Sequence, residues 1–429
     1  MRAGHGRSPL PVPPGTPLGG YAARTGVSTG VLDELEVAAV TVETGGTRLV
    51  WVVADLPFVN VDLADRVRRA VRDAIPGVRP EDVWVSATHT HSGPDSSCPA
   101  EPSRTPDRWL EDVPAAAVAA ARAAVATERE SLLSVRRGRL AGVGGQRSGA
   151  RPRRTVPIDV LSFEAPDGGT RGLIVVAPVH PTVLGADNLL VSADLTGAAR
   201  RALAAHPALA RDGARPWAVV ATGAAGDVST RPHRHAQTPR ECDRLGALVA
   251  DRVVRALREP ARAVVPIGAP AEARLEHVPV PPRPRDAPAL AGRLEEELRR
   301  VERRGDPVAT RTAWTALQAA RLAADGPPPP ERPSCAVSVI RLGTVALVAL
   351  GGEPYLDLAA RLEESVGGTT VLVGYTNGYL GYLPVRAAYR RPVYEVLRSP
   401  VAEGGAERVI ARAAALVPSP TAPSSEEHP

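Results

Sequence analysis

Two histidines separated by one residue follow an apolar run early in the chain, in the order Thr88-His89-Thr90-His91. The run at 82–85 has the composition of a buried strand. Residues two apart on a strand point to the same face, so both imidazoles would project together where the strand ends. Imidazoles paired in this way suit a transition metal such as zinc. The alternative is that both residues simply cap a polar loop.

Several apolar runs, including the first one, end in short loops that carry a reactive side chain. These side chains are His89, His180, Asp227, Ser229, Glu353 and Tyr382. Ligands of α/β sheets bind beyond the ends of the strands. We therefore expect these residues to converge on a single site.

Three of these residues, His89, His180 and Glu353, would form a set of two histidines and one carboxylate. Such a set suits zinc that keeps an open position for water. The metal would lower the pKa of that water and polarise a carbonyl group. For His180 taken alone, a buried structural histidine is an equally good explanation.

Several further residues have types that suit catalysis beside such a metal. Arg147 can stabilise an oxyanion. Tyr382 or Tyr394 can coordinate the metal or supply a proton, although a single tyrosine more often serves packing. Ser229 lies in a turn, where its hydroxyl either stabilises the backbone or acts as a nucleophile.

The composition indicates a globular protein with an aliphatic core, since 44% of the 429 residues are hydrophobic and only 3% are aromatic. The net charge of +5 comes from arginines scattered among acidic residues, which does not indicate a nucleic-acid partner. Cys98, Cys242 and Cys335 are too widely spaced for a disulfide framework or a CxxC metal motif. No signal peptide or membrane-spanning run is visible, and we expect a cytoplasmic protein.

The predicted elements alternate between strands and helices. Predicted strands cover 36–43, 48–56, 82–85, 134–140, 157–163, 172–178, 217–222, 335–342, 344–350 and 370–375. Predicted helices cover 62–75, 114–127, 194–205, 240–258, 355–365 and 403–416. Residues 1–16 are rich in proline and glycine, and we expect them to be irregular.

This alternation predicts an α/β fold of mixed β-sheets flanked by helices, in one catalytic domain over 8–416. Two charged helical stretches, 287–304 and 308–324, lie between proline clusters. They predict a helical hairpin insertion over 285–326 on the body of the fold. The tail at 417–429 is rich in proline, serine and glutamate, and we expect it to be disordered.

A series of short motifs, in the same order, resembles the catalytic domain of the neutral/alkaline (non-lysosomal) ceramidases, which are zinc amidases. The family's THTHSGPGG resembles 88–95, where Asp95 replaces a glycine. Its GAAGDVSPN resembles 223–230, where Thr230 replaces a proline. The other similar segments are 145–149 (INRSP-like), 180–182 (HPT), 351–353 (PGE), 376–382 (SNxYTHY) and 393–395 (RYE).

The resemblance implies a role for each residue at a matched position. The zinc ligands would be His89, His180, Glu353 and Tyr382. His91 would form a hydrogen bond beside the metal. Arg147 and Tyr394 would hold the amide carbonyl or its oxyanion.

The resemblance leaves two candidates for the nucleophile. The residue that matches Ser229 has been viewed in the family as a nucleophile, and the rival view makes zinc-bound water the attacker. We favour water, because the only candidate bases near Ser229 in the sequence are Asp227 and the pair His233 and His235.

The implied substrate is a small-molecule N-acyl amide or lipid, ceramide-like, which would place the chain in sphingolipid metabolism. Full-length ceramidases carry a further C-terminal β-sandwich domain and a leader peptide, and we expect this chain to have neither. We also find no apolar, aromatic-rich segment suited to bilayers. Two alternatives stay open: a metal-independent serine hydrolase that uses Ser229, and a non-catalytic relative that binds a ligand in the same pocket.

Overall fold

The computed structural model describes residues 1–97, 104–149, 151–211, 213–283, 287–325 and 331–419. The strands are β1 (Arg2–Leu10), β2 (Gly30–Val31), β3 (Leu35–Thr44), β4 (Thr47–Ala54), β5 (Val83–Ala87), β6 (Arg129–Glu130), β7 (Leu132–Ala141), β8 (Gly145–Gln146), β9 (Thr155–Glu164), β10 (Thr170–Ala177), β11 (Leu190–Val191), β12 (Trp217–Thr222), β13 (Val228–Ser229), β14 (Ala263–Val265), β15 (Ala271–Pro279), β16 (Ser334–Leu342), β17 (Val345–Leu350), β18 (Glu353–Pro354), β19 (Thr369–Val373) and β20 (Tyr382–Leu383). The helices are α1 (Val61–Ala74), α2 (Asp112–Ala126), α3 (Asp194–Ala205), α4 (Pro239–Ala256), α5 (Ala287–Arg303), α6 (Pro307–Asp325), α7 (Leu356–Val366), α8 (Tyr394–Arg398) and α9 (Gly405–Leu416).

Three mixed sheets form the body of the fold. Their strand orders are β5-β4-β3-β1-β6, β12-β10-β9-β7-β14 and β15-β16-β17-β19. Neighbouring strands are mostly antiparallel, but each sheet contains one parallel pair: β4 with β5, β10 with β12, and β17 with β19. The predicted α/β fold of mixed sheets flanked by helices is confirmed.

A shared apolar core lies between the three sheets. Trp51 of β4, Phe163 of β9 and Leu347 of β17 belong to one cluster of buried side chains. Helices cover the outer faces: α1 and α2 pack on the first sheet, α3 and α4 on the second, and α7 and α9 on the third. Because both faces of the central strands are buried, these strands form continuous apolar runs in the sequence.

Residues 2–10 form a strand, so the prediction of an irregular region over 1–16 was wrong for that stretch and holds only for 11–16. β1 lies between β3 and β6 and pairs with β3 along its whole length. Its glycines allow a close approach to α2: a Cβ on Gly4 would lie 2.0 Å from the backbone oxygen of Ala124. Composition alone does not reveal a contact with a helix so distant in the chain.

The predicted hairpin is present as α5 and α6, which pack against each other. β15, which precedes the hairpin, has no counterpart among the predicted strands, because it is a charged edge strand in which only Ala273 and Val278 are buried. Among the described residues, no helix combines the length and apolar character needed to cross a bilayer. Cys98 and residues 420–429 of the predicted tail lie outside the described residues, and Cys242 and Cys335 are free and buried.

Candidate metal centre

The candidate site lies where the edges of the three sheets meet. Gly223, which follows β12, forms a β-bridge with Val373 at the end of β19. Ser86 of β5 forms another with Thr376, just beyond β19. The loops that follow these strands therefore come together, as expected for a ligand site at the strand ends of an α/β fold.

His89 lies two residues beyond β5 in a left-handed turn, with a φ of 64°. Its backbone N–H donates to the oxygen of Leu56 at 3.0 Å, and its ring Nδ1 lies 2.6 Å from the carbonyl oxygen of Pro57. The predicted alignment of His89 with His91 by strand alternation was wrong, because the strand already ends at Ala87. The turn nevertheless brings the Nε2 atoms of the two histidines within 3.2 Å.

His180 is fully buried in the loop after β10. Its Nδ1 lies 2.7 Å from the carbonyl oxygen of Ala225 and 3.0 Å from that of Val228. Since a carbonyl oxygen only accepts hydrogen bonds, Nδ1 carries the hydrogen and Nε2 keeps its lone pair. Burial, with a smaller effect of Arg147, lowers the pKa of His180 to about 4, so the ring is neutral at pH 7.

Glu353 enters the site from the third sheet. β18 pairs in parallel with β20, which makes Glu353 and Tyr382 direct partners. The Oε2 atom of Glu353 lies 3.0 Å from His180 Nε2 and 3.4 Å from His89 Nε2. A Cβ on Gly226 would lie 2.4 Å from the backbone oxygen of Glu353, so the small residues before Asp227 do permit a close backbone approach.

These contacts fit a bound cation. His180 is neutral and donates its Nδ1–H to a backbone carbonyl, so its Nε2 directs a lone pair at the carboxylate of Glu353, and His89 Nε2 faces the same carboxylate oxygen. In this tautomer His180 Nε2 has no hydrogen to donate to Oε2, which lies 3.0 Å away. Positive charge between buried acceptors packed this closely, supplied by a proton or by a metal ion, would offset their repulsion.

The spacing agrees with metal coordination. Bonds of about 2.1 Å to zinc at tetrahedral angles place neighbouring ligand atoms about 3.4 Å apart. The ring nitrogens of His89, His91 and His180 also lie within 4.8 Å of one another, and all three residues are buried. This part of the chain can therefore hold a metal ion.

Arg147 lies beside the histidines and is held on three sides. Its backbone N–H donates to the oxygen of Asp227 at 2.8 Å. Its Nη2 donates to the oxygen of Gly226 at 2.9 Å and to Tyr382 Oη at 3.3 Å. Its Nε lies 2.6 Å from Glu395 Oε1 in a buried ion pair. The position of the guanidinium is thus tightly defined.

The remaining predicted residues lie on neighbouring elements. Tyr394 begins α8, and its ring meets that of Tyr382 edge-on, with 6.0 Å between centroids. The ring of Tyr382 in turn lies parallel to that of His180, 6.4 Å between centroids. Ser229 forms a backbone bridge with His180, and its buried Oγ has no hydrogen-bond partner within the described ranges. The structure therefore brings all the predicted site residues into one region.

Comparisons with known proteins agree with this architecture. No family model matches the chain, and no curated protein matches its sequence. The crystal structure of neutral ceramidase from Pseudomonas aeruginosa matches with a TM-score of 0.74 at 18% identity, covering 97% of this chain and 75% of that chain. A ceramidase complexed with C2 matches with a TM-score of 0.74 at 19% identity, covering 96% and 74%. The chain has a neutral ceramidase-like fold.

The neutral ceramidase-like fold confirms the resemblance drawn from the short motifs. The match extends over nearly the whole chain, whereas the motifs cover only the strand-end loops. At 18–19% identity the likeness establishes the fold, and the activity has to be argued from the site itself.

Two tyrosines that sequence reasoning missed line the carboxylate in this ceramidase-like fold. Tyr379 Oη donates to Glu353 Oε1 at 2.5 Å, and Tyr375 Oη donates to Oε2 at 3.3 Å. The ring of Tyr375 also stacks on His89, with 4.1 Å between centroids. A signal was present, since Tyr379 lies in the matched segment 376–382, but a single tyrosine does not reveal which carboxylate it reaches.

We expect Tyr379→Phe to weaken zinc binding by about 10- to 100-fold, because its hydroxyl orients the carboxylate of Glu353. Competition with a chromophoric chelator measures the affinity. Tyr389→Phe is the matched control, since Tyr389 Oη donates at 2.5 Å to the backbone oxygen of Val401. Equal zinc affinity in both variants would show that Tyr379 does not support the metal centre.

Proposed function

We propose that this chain is a zinc-dependent hydrolase that cleaves the N-acyl amide bond of a ceramide-like lipid. The observation that carries the proposal is the pair of contacts from Glu353 Oε2 to His89 Nε2 and His180 Nε2, at 3.4 and 3.0 Å. A metal ion bound between these atoms would satisfy the ring nitrogens and the carboxylate together. The two solved structures named above are both ceramidases, which supports amide hydrolysis and a role in sphingolipid metabolism.

Zinc suits the donor set, because imidazole nitrogens and carboxylate oxygens are its usual protein ligands. Under this proposal the ligands are His89, His180, Glu353 and Tyr382. His91 lies beside them, with its Nε2 atom 3.2 Å from His89 Nε2. Bound zinc would supply a polarised carbonyl and a water molecule of lowered pKa as the attacking group.

The protein's own groups would orient the amide. Arg147 is permanently charged and held by Glu395, so it can donate to the carbonyl oxygen as negative charge develops there. Tyr394, edge-on to Tyr382, can donate to the same oxygen. Each fixed donor of this kind contributes about 3 kcal/mol to stabilisation of the transition state.

Metal analysis of the purified protein, combined with a screen of N-acyl amides, tests the proposal. We expect about one zinc per chain, hydrolysis of a long-chain N-acyl amide, loss of activity on chelation and its return with zinc. Activity that survives chelation would contradict the role of the metal. Bound zinc without turnover of any amide in a broad panel would favour a non-catalytic relative instead.

In the main rival mechanism, the hydroxyl of Ser229 attacks the amide. Its buried Oγ has no hydrogen-bond partner in the described residues, and Ser229 lies beside His180. Both carboxylate oxygens of Asp227 are already occupied, one by the N–H of Leu356 and one by the amide of Gln146. Asp227 is thus committed to structural hydrogen bonds, and no described contact joins it to Ser229 Oγ, so we propose water as the attacker.

Ser229→Ala should accordingly keep kcat within about 10-fold of the unaltered enzyme and keep its zinc, whereas loss of a true serine nucleophile costs orders of magnitude more. Ser162→Ala is the matched control, because Ser162 is also fully buried and its Oγ also lacks a partner within the described chain. Labelling of Ser229 by a fluorophosphonate would establish the serine mechanism. The cytoplasmic location expected from the sequence stays a prediction, which cell fractionation tests.

A further inference from the structure

The hairpin of α5 and α6 packs directly on the helix that carries Tyr394. Leu397 of α8 is only 7% exposed and belongs to a small apolar cluster with the hairpin. The hairpin members of this cluster are Leu294, Ala316, Leu317, Ala319 and Ala320. The ring of Tyr394 packs against the same cluster. Tyr394 therefore lies between the hairpin and the ring of Tyr382.

α8 depends on these contacts because it has only five residues. A helix this short is not stable by itself in water, since its first hydrogen bond fixes several residues at once. Residues two apart on a helix are separated by about 200° around its axis. Glu395 accordingly pairs with Arg147 at 2.6 Å on one side, while Leu397 enters the hairpin cluster on the other.

The segment that leads into the hairpin is bonded to the same region. The Arg283 guanidinium donates to the oxygen of Val396, and the Arg283 N–H donates to the oxygen of Pro400 at 2.8 Å. The N–H of Ala402 donates to the oxygen of Pro281 at 2.9 Å. Both the base of the hairpin and its apolar face thus hold α8 in place.

The two histidine ligands of the proposed metal centre are positioned by other parts of the chain, whereas Tyr382 contacts Tyr394 of α8. His89 is held by the carbonyl of Pro57, and His180 by the carbonyl of Ala225. A disturbance of the hairpin should therefore displace the groups that bind the amide carbonyl, while the two histidines stay in place and keep the metal bound.

We propose that the hairpin is a positioning element for the carbonyl-binding side of the site. The hairpin fixes α8 through its contact with Leu397. This places Tyr394 towards the substrate carbonyl, and it also places Arg147 there, because Arg147 pairs with Glu395 of the same helix. Leu397 is a positioning residue, because it acts through α8. The inference rests on the proposed function, and the experiments below separate the two.

Leu397→Ala should lower kcat for the amide substrate by about 10- to 100-fold, because a displacement of about 1 Å in an orienting group is sufficient for such a loss. KM should change by less than about 3-fold and zinc content should not change, since the loss falls on the transition state. Leu397→Met, which has a similar volume, should restore most of the activity.

Leu416→Ala is the matched control. Leu416 lies on α9, is 8% exposed and packs in a different cluster. We expect both alanine variants to lose similar thermal stability and only Leu397→Ala to lose kcat. Equal loss of kcat in both variants, full activity of Leu397→Ala, or zinc loss that parallels the activity loss would overturn the inference.

Amide hydrogen exchange tests the hairpin without a substrate. In Leu397→Ala, exchange should become faster at 394–398 and stay unchanged at 89–92 and 180–182. Unchanged exchange at 394–398 would refute the positioning role. If exchange changes as expected but the zinc-loaded protein hydrolyses no amide, the proposed function is refuted. The role of the hairpin in positioning α8 would still hold.

Discussion

Replacement of His180 by alanine should prevent metal binding and lower amide hydrolysis by on the order of 10³-fold or more. His180 is fully buried, and its Nε2 lies 3.0 Å from Glu353 Oε2. Alanine would remove one proposed ligand and leave a buried carboxylate facing a space without a cation. Zinc stoichiometry by mass spectrometry and kcat/KM on an N-acyl amide measure the two effects.

The control for this experiment is His277→Ala, because His277 lies exposed on β15. Its zinc content and kcat/KM should equal those of the unaltered protein. A His180→Ala variant that stays folded and retains both zinc and activity would contradict the proposed metal centre. Thermal unfolding establishes the folded state in each case.

Arg147→Lys should lower kcat by about 10²- to 10³-fold while zinc content stays the same. Lysine keeps the positive charge and can still pair with Glu395, so the buried carboxylate is not left alone. A single ammonium cannot reproduce the separate contacts of the guanidinium with Gly226, Tyr382 and Glu395. The donor would therefore no longer be aligned with the carbonyl oxygen.

Arg137→Lys is the control, because it shows how replacing an ion-paired arginine by lysine affects stability and kcat away from the site. Arg137 pairs with Asp159 and Glu363, each at 2.6 Å, between the second sheet and α7. We expect it to lose stability and keep kcat. If Arg147→Lys retains kcat within about 3-fold, the guanidinium does not stabilise the developing charge.

The site draws its groups from all three sheets, so binding of a metal there would be linked to assembly of the whole fold. His89 follows the first sheet, His180 the second, and Glu353 comes from the loop after β17 in the third. Each group reaches the centre only when its own sheet is in place. A metal held in this way stabilises the contacts between the sheets as well as the loops.

The residue types that suit metal chemistry are recognisable in the amino-acid sequence itself. Buried strands such as β12 and β17 form apolar runs, and the residue types found in strand-end loops, such as His180 and Glu353, are what a metal needs. The alternation of apolar residues and the choice of turn residues depend only on neighbouring positions. They can therefore be recognised in a single sequence. The hairpin helices α5 and α6 are evident for the same reason.

Other features depend on contacts between distant segments. β1 is a strand because β3 pairs with it and α2 packs closely over its glycines. His89 adopts a left-handed turn that is held by hydrogen bonds to Leu56 and Pro57. The two histidines are close, as predicted, but the cause is this turn and not the alternation of side chains along a strand. No local pattern encodes either arrangement.

The sequence by itself determined most of the strands and helices and the types of group available at the strand ends, because these follow from periodicity and composition over a few residues. Only the tertiary structure decided that Tyr379 supports Glu353 and that Leu397 joins the hairpin to α8. Such pairings depend on how three sheets and a hairpin pack together. Their residues lie far apart in the chain, so no short-range rule of polypeptide geometry relates them.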